Sequence, residues 1–163
     1  MLYIFYMFLL CQKIMEQKNL FRRFIYASAQ SRNLFAETIS TCATSCGITK
    51  PEADVLLFFA NNPEFTNAVD AVNCRGFSKA YVSKALFLLQ QRDFIAIQTS
   101  PSDRRYQQIT IKPKAQKSVK MLQKCQRDFF LSLKEGIPED EFHTFLNVID
   151  KMLDNYFEKL NQK

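Results

Sequence analysis

Cys74-Arg75-Gly76-Phe77-Ser78-Lys79-Ala80-Tyr81-Val82-Ser83-Lys84-Ala85-Leu86-Phe87-Leu88-Leu89-Gln90-Gln91-Arg92 reads as a break, a cap and a helix. A short helix is expected before it, over Thr66 to Asn73, and Ser78 supplies the oxygen that caps the next, which runs to about Arg92. Within that second helix Val82, Ala85, Leu86 and Leu89 recur at helical spacing and face a core, whereas Ala80, Ser83, Lys84 and Gln91 point away. Two helices joined by a short Gly-containing segment make a helix-turn-helix. Phe94 to Thr99 and Tyr106 to Ile111 then read as short strands on either side of Ser100-Pro101-Ser102-Asp103-Arg104-Arg105. That tip is too polar for a core, so the pair forms a β-hairpin with a basic end.

The flanking sequence is helical. Leu20, Phe21, Phe24, Ile25, Leu34, Phe35 and Ile39 fall largely at three- and four-residue spacings, which predicts one long amphipathic helix from about Glu16 to Ser40. Gly47 can stop it, and Thr49 or Lys50 with Pro51 starts a second helix to Ala60. Val55 to Phe59 run nearly all the way round that second helix, so it is expected to be buried. After the hairpin, Pro113 opens a helix with an apolar seam of Val119, Leu122, Cys125, Phe129 and Leu133, ended by Gly136. Pro138 and three acids begin the last, where the helix dipole favours negative charge. Its apolar positions from Phe142 to Leu160 exceed what the first helix alone can cover, which points to a second copy of the chain. The expected fold class is therefore mainly α with a small β-hairpin, without internal repeat or flexible linker.

Charge is concentrated. Residues 75 to 120 hold ten Lys and Arg against two acids, a net of +8 in a chain whose total is +6. Clustered cations favour a polyanion, because each neutralised phosphate releases counterions. Residues 1–11 are almost wholly apolar but about half the length of a spanning helix, and they lack the basic start and small-residue end of a cleavable signal. Either residues 1–14 pack in a dimer interface or translation begins at Met15; no membrane association is expected. The five cysteines are odd in number and lack CxxC spacing, which suits reduced thiols in a cytoplasm.

Enzymatic motifs are missing. His143 is the sole histidine, and the sequence carries no Gly-rich phosphate loop, no HExxH and no paired carboxylates, so no catalytic residue and no cofactor is assigned. Cys42 and Cys46 are four residues apart and could supply two ligands to zinc, but no second histidine or CxxC completes a site, so no metal is expected. As thiols, these two are the redox candidates, although no cation lies near them in sequence before Lys50.

A helix-turn-helix followed directly by a hairpin is a winged helix, and the segment Gly47 to Ala115 resembles the MarR family of bacterial regulators. The resemblance is carried by Gly76 to Lys84, by Leu89-Gln90-Gln91-Arg92-Asp93-Phe94-Ile95 and by Pro101 to Arg105. Asp93 stands where glycine is usual, Lys112 and Ala115 replace threonine and glycine, and Phe87 and Leu88 are more apolar than the pattern. The resemblance implies a single winged-helix domain over residues 1–163. Within it, residues 16–40 and 113–160 would form a helical dimerisation region and residues 48–112 a DNA-binding lobe.

The function so implied is a transcriptional regulator, a repressor, bound as a homodimer to a pseudo-palindromic operator in double-stranded DNA and open to a small-molecule effector. Recognition helices read bases with their N-terminal residues, so Ser78, Lys79, Ala80, Tyr81, Ser83 and Lys84 are the expected readers. For Tyr81 the alternative is packing on its own domain. In the wing, Asp103 would orient an arginine while Arg104 or Arg105 enters the minor groove. The family also includes thiol-based oxidant sensors, and a thiol- or metal-responsive sensor with DNA binding as its output is one alternative. A winged helix that binds only protein is another.

Overall fold

The computed structural model describes residues 18–99 and 107–161. Expectations for residues 1–14, for Met15 and for the tip residues Asp103, Arg104 and Arg105 lie outside them, as do the side chains of Leu20, Phe21, Phe24 and Ile25. The element order is α1 (Lys18–Ser45), α2 (Lys50–Asn61), α3 (Ala68–Arg75), α4 (Lys79–Gln91), β1 (Ile95–Thr99), β2 (Gln107–Ile111), a 3-10 turn (Pro113–Ala115), α5 (Gln116–Lys134) and α6 (Glu139–Asn161). The protein is mainly α with one antiparallel hairpin. The chain divides into two compact units at Gln126 and Arg127.

In the first unit, α1 runs five residues beyond the expected Ser40, as far as the turn at the left-handed Gly47 (φ 68°), and its last hydroxyls, on Thr41, Thr44 and Ser45, donate to carbonyls one turn back. Thr49 and Glu52 form a reciprocal cap at the start of α2, and Pro51 sits in the first turn, where its missing N–H costs nothing. Leu56, Val55 and Ala53 are fully buried, and Leu57, Phe58 and Phe59 nearly so, which makes α2 the centre of the core. It packs on α1 and α4. Ile39 of α1, Val82, Ala85 and Leu89 of α4, Ile95 of β1 and Leu122 of α5 close around it. Each of the larger side chains among them contributes about 1.5–3 kcal/mol on burial, and truncating Leu56 to Ala would cost about 2–5 kcal/mol through lost burial and the cavity it leaves.

The hairpin is in register from Ile95 opposite Ile111 to Thr99 opposite Gln107. It is tied to the helices at both ends. Ile109 N–H donates to Thr66 O (2.7 Å) in the segment leading to α3, and Lys112 N–H donates to Phe94 O (2.8 Å).

In the second unit Gly136 (φ 78°) breaks the chain between the helices, and Lys134 pairs with Glu139 and lies 4.7 Å from the Phe142 ring centre. Lys134 also holds the Glu139 carboxyl below the usual carboxylate range, through their hydrogen bond first and their charges second. Along α6 Phe145, Leu146, Ile149, Met152, Leu153, Phe157 and Leu160 are exposed at the helical spacing read from the sequence. No helix among the described residues is long and apolar enough to cross a membrane.

Candidate nucleic-acid interface

The turn between α3 and α4 is shorter than the sequence suggested. Helix α3 continues through Cys74 and Arg75, so only Gly76-Phe77-Ser78 lies between the helices. It begins later than expected as well, at Ala68, because the Asn67 side chain caps it, accepting from Asp70 N–H at 3.1 Å. The Asp70 carboxylate answers by accepting from Asn67 N–H (3.1 Å) and Thr66 N–H (3.2 Å). Gly76 takes the left-handed conformation (φ 69°) that reverses the chain, while its N–H closes on Val72 O at 3.0 Å. Ser78 then accepts from Tyr81 N–H at 3.2 Å as the N-cap of α4. Its side chain is thereby committed to the helix end.

Helix α4 divides cleanly. Val82, Ala85, Leu86 and Leu89 are buried, while Lys79, Ala80, Ser83 and Lys84 are exposed. Among the expected readers, these four and Ser78 lie at one solvent-facing end of the helix. Tyr81 differs. It is half-buried, its ring lies 5.2 Å from that of Phe77, and its hydroxyl donates to Asp54 Oδ2 at 2.7 Å. Burial, and then the hydrogen bond and charge of Asp54, push the phenol above its ordinary value. Asp54 also pairs with Lys50, so one carboxylate at the first turns of α2 anchors the N-terminal half of α4.

A second tie holds the other end of α4. Glu52 is fully buried and accepts from Arg92 Nε at 2.6 Å. Beyond Arg92, Asp93 is the one described non-glycine residue with positive φ (64°). The chain therefore makes there the left-handed turn that glycine would make, and Asp93 N–H and Phe94 N–H close on Gln90 O and Leu89 O, each at 2.9 Å. Lys112 pairs with Asp93 and, through that bond and its charge, holds the carboxyl below its usual range.

Sequence reasoning missed Asp54, Glu52 and Arg92 as positioning residues. The Thr-x-x-Glu spacing at Thr49 and Glu52 was a visible signal for the cap, but nothing local signalled the contacts to Tyr81 and Arg92, 27 and 40 residues away. An open groove of about 760 Å³ between α3, α4 and the hairpin was missed too; exposed Val69 and Phe87 flank Lys79 and Ser83 in it.

Cys42 is buried in α1, and Cys46, one turn on, is half-buried. Among the described residues no group of three or more His, Cys, Asp or Glu could hold a metal ion.

Residues 47–105 match the model of the MarR family. No curated protein matches the sequence. Solved structures do, at low identity over most of both chains. A MarR transcriptional regulator from Methanosarcina mazei Go1 is 14% identical, with 84% of this chain and 98% of that one covered and a TM-score of 0.69. Staphylococcus aureus MepR, solved with DNA, is 16% identical with 81% and 97% covered and a TM-score of 0.64. Staphylococcus aureus MarR, solved with salicylate and kanamycin, is 18% identical with 88% and 96% covered and a TM-score of 0.65. Residues 47–105 thus match the MarR family through the helix-turn-helix and the hairpin segment, and over most of its length the chain shares the winged-helix fold of these structures.

Proposed function

We propose that the protein is a DNA-binding transcriptional regulator, a repressor, that acts as a cytoplasmic homodimer on a pseudo-palindromic operator. The observation that carries this reading is the end of α4, where Lys79, Ala80, Ser83 and Lys84 are exposed together beside the hairpin while the helix is fastened at both ends. A recognition helix must be rigid to hold hydrogen-bonding groups against base edges, and both ties leave the outward face free. In this reading Lys79 contacts phosphates, Ser83 and Lys84 reach bases, Ser78 caps the helix beside them, and Tyr81 positions the helix through Asp54. At the tip, Arg104 or Arg105, oriented by Asp103, takes the adjoining minor groove.

Residues 16–40 and 113–160 build the dimer, and residues 48–112 the DNA-binding lobe. The support is the apolar face of α6, on which Phe145, Met152 and Phe157 are each more than half exposed. For a small-molecule effector, which the solved complex of Staphylococcus aureus MarR with salicylate and kanamycin supports, the candidate place is the cavity of about 300 Å³ lined by Phe35, Asp54, Phe58, Phe65 and Arg75. Occupancy there would bear on Asp54, the residue that holds Tyr81.

Selection of genomic fragments by the purified protein tests the function. Enrichment of sequences with two inverted half-sites about one helical turn apart is the expected result. Fragments retained without any shared motif, or none retained at low salt, would overturn it.

A further inference from the structure

We propose that Cys42 and Cys125 form an oxidation site, a dithiol that closes to a reversible disulfide and pins α1 to α5. The two sulfur atoms lie 2.7 Å apart although 83 residues separate them in the chain. Non-bonded heavy atoms ordinarily rest at about 3.5–4.0 Å, and a disulfide needs about 2.05 Å, so little movement closes the bond. Both residues belong to the first compact unit, and both are free thiols in this structure.

The pair is asymmetric in a way that divides the chemistry. Cys42 is buried, and burial first, then the bond and charge of Cys125, push its thiol up to about 12. It therefore stays protonated and unreactive toward solvent oxidants. Cys125 is only half-buried and is the sulfur that a hydroperoxide can reach. The Cys125 thiolate attacks the peroxide, the O–O bond breaks, and an alcohol or water leaves with a proton, giving Cys125 sulfenic acid. The Cys42 sulfur then attacks the sulfenic sulfur, the S–O bond breaks, and water leaves with the Cys42 proton. Two thiols lose two electrons to the peroxide. Cys46 lies one turn along α1 and acts on Cys42 more weakly, whereas the close sulfur contact of Cys42 is to Cys125.

The site does not depend on DNA binding, and its test does not use DNA. The full chain is treated with hydrogen peroxide, quenched by an alkylating agent, digested without reduction and mapped by mass spectrometry. The expected product joins the Cys42 and Cys125 peptides of one chain, is opened by dithiothreitol, and persists in the Cys46→Ser, Cys74→Ser variant. In Cys42→Ala the link disappears and Cys125 sulfenic acid, trapped by dimedone, rises several-fold. The map of the parent protein decides the matter even if a variant fails to fold. A link of Cys42 to Cys46, a link of Cys125 only to another chain, or Cys42 and Cys125 both recovered as free thiols would overturn the proposal.

Discussion

Arg92 donates to a carboxylate that has left water altogether: its Nε lies 2.6 Å from Glu52 Oε1, and Glu52 is fully buried while the arginine side chain remains 42% exposed. The other carboxylate oxygen accepts from Thr49 N–H (2.8 Å) and Thr49 Oγ1 (2.7 Å). One side chain thus caps α2 and fastens the end of α4. Removing one partner of a buried pair costs about 3–5 kcal/mol because the other charge is stranded. Arg92→Ala should fall at the lower end, about 3 kcal/mol, since solvent reaches the vacated side. The double variant Glu52→Met, Arg92→Met should lose less than the two single changes combined. Urea denaturation measures all three, and an Arg92→Ala protein as stable as the parent would show that the pair holds nothing.

Asp93 carries the backbone strain of the turn from α4 into the hairpin (φ 64°). A left-handed residue other than glycine costs about 1–2 kcal/mol, less for aspartate than for most. Asp93→Gly gives up only an exposed pair with Lys112, which water and salt screen. It should leave stability unchanged or raise it by about 0.5–1 kcal/mol, whereas Asp93→Ala should lower it by about 1 kcal/mol. Equal denaturation midpoints for the two variants would remove strain as the explanation.

Tyr81 links stability to alkali. Its folded-state value is raised by burial and by Asp54, so the contribution of its bond is fully present below the ordinary phenol value, about 10, and is lost as pH rises from there toward the folded value. Tyr81→Phe should cost about 0.5–1.5 kcal/mol near pH 8. The gap between parent and variant should then narrow toward about pH 11, because only the parent's unfolded chain gains an ionised phenol. Parallel pH profiles in urea would contradict the Tyr81–Asp54 account.

Phe145, Met152 and Phe157 on α6 should lie in a dimer interface. The parent is expected to sediment as two chains at micromolar concentration. Replacing all three by Glu, which buries charges against apolar partners, should yield a monomer or an unfolded chain. A parent that sediments as a folded monomer would remove the two-fold logic of the operator.

Much of this structure was legible in local pattern. The split of α4 into buried Val82, Ala85, Leu86 and Leu89 and exposed Ala80, Ser83 and Lys84 followed from helical spacing, and the hairpin register fits strands read from Phe94 and Tyr106. Helix ends were less legible, because side-chain caps such as Asn67 set them a few residues from where the apolar period begins. The long-range ties were not legible at all. Asp54 with Tyr81 and Glu52 with Arg92, which position the candidate site, and Cys42 with Cys125 join residues whose separation in sequence carries no periodic signal. Cys46, paired with Cys42 by spacing alone, was the more visible cysteine.

Operator binding by Ser83→Ala and Lys84→Ala, measured by fluorescence anisotropy against single-base variants of a selected operator over a range of salt, tests the central claim most directly. The account predicts that a base-contacting residue, once removed, loses about 1–3 kcal/mol of discrimination at one or two positions in each half-site, with other positions unchanged. Should Lys84 contact a phosphate instead, its removal weakens all sequences evenly and lowers the salt slope by about one unit. If both variants, folded and of the parent's oligomeric state, match the parent in affinity, discrimination and salt slope, then the exposed end of α4 is not the surface that reads DNA.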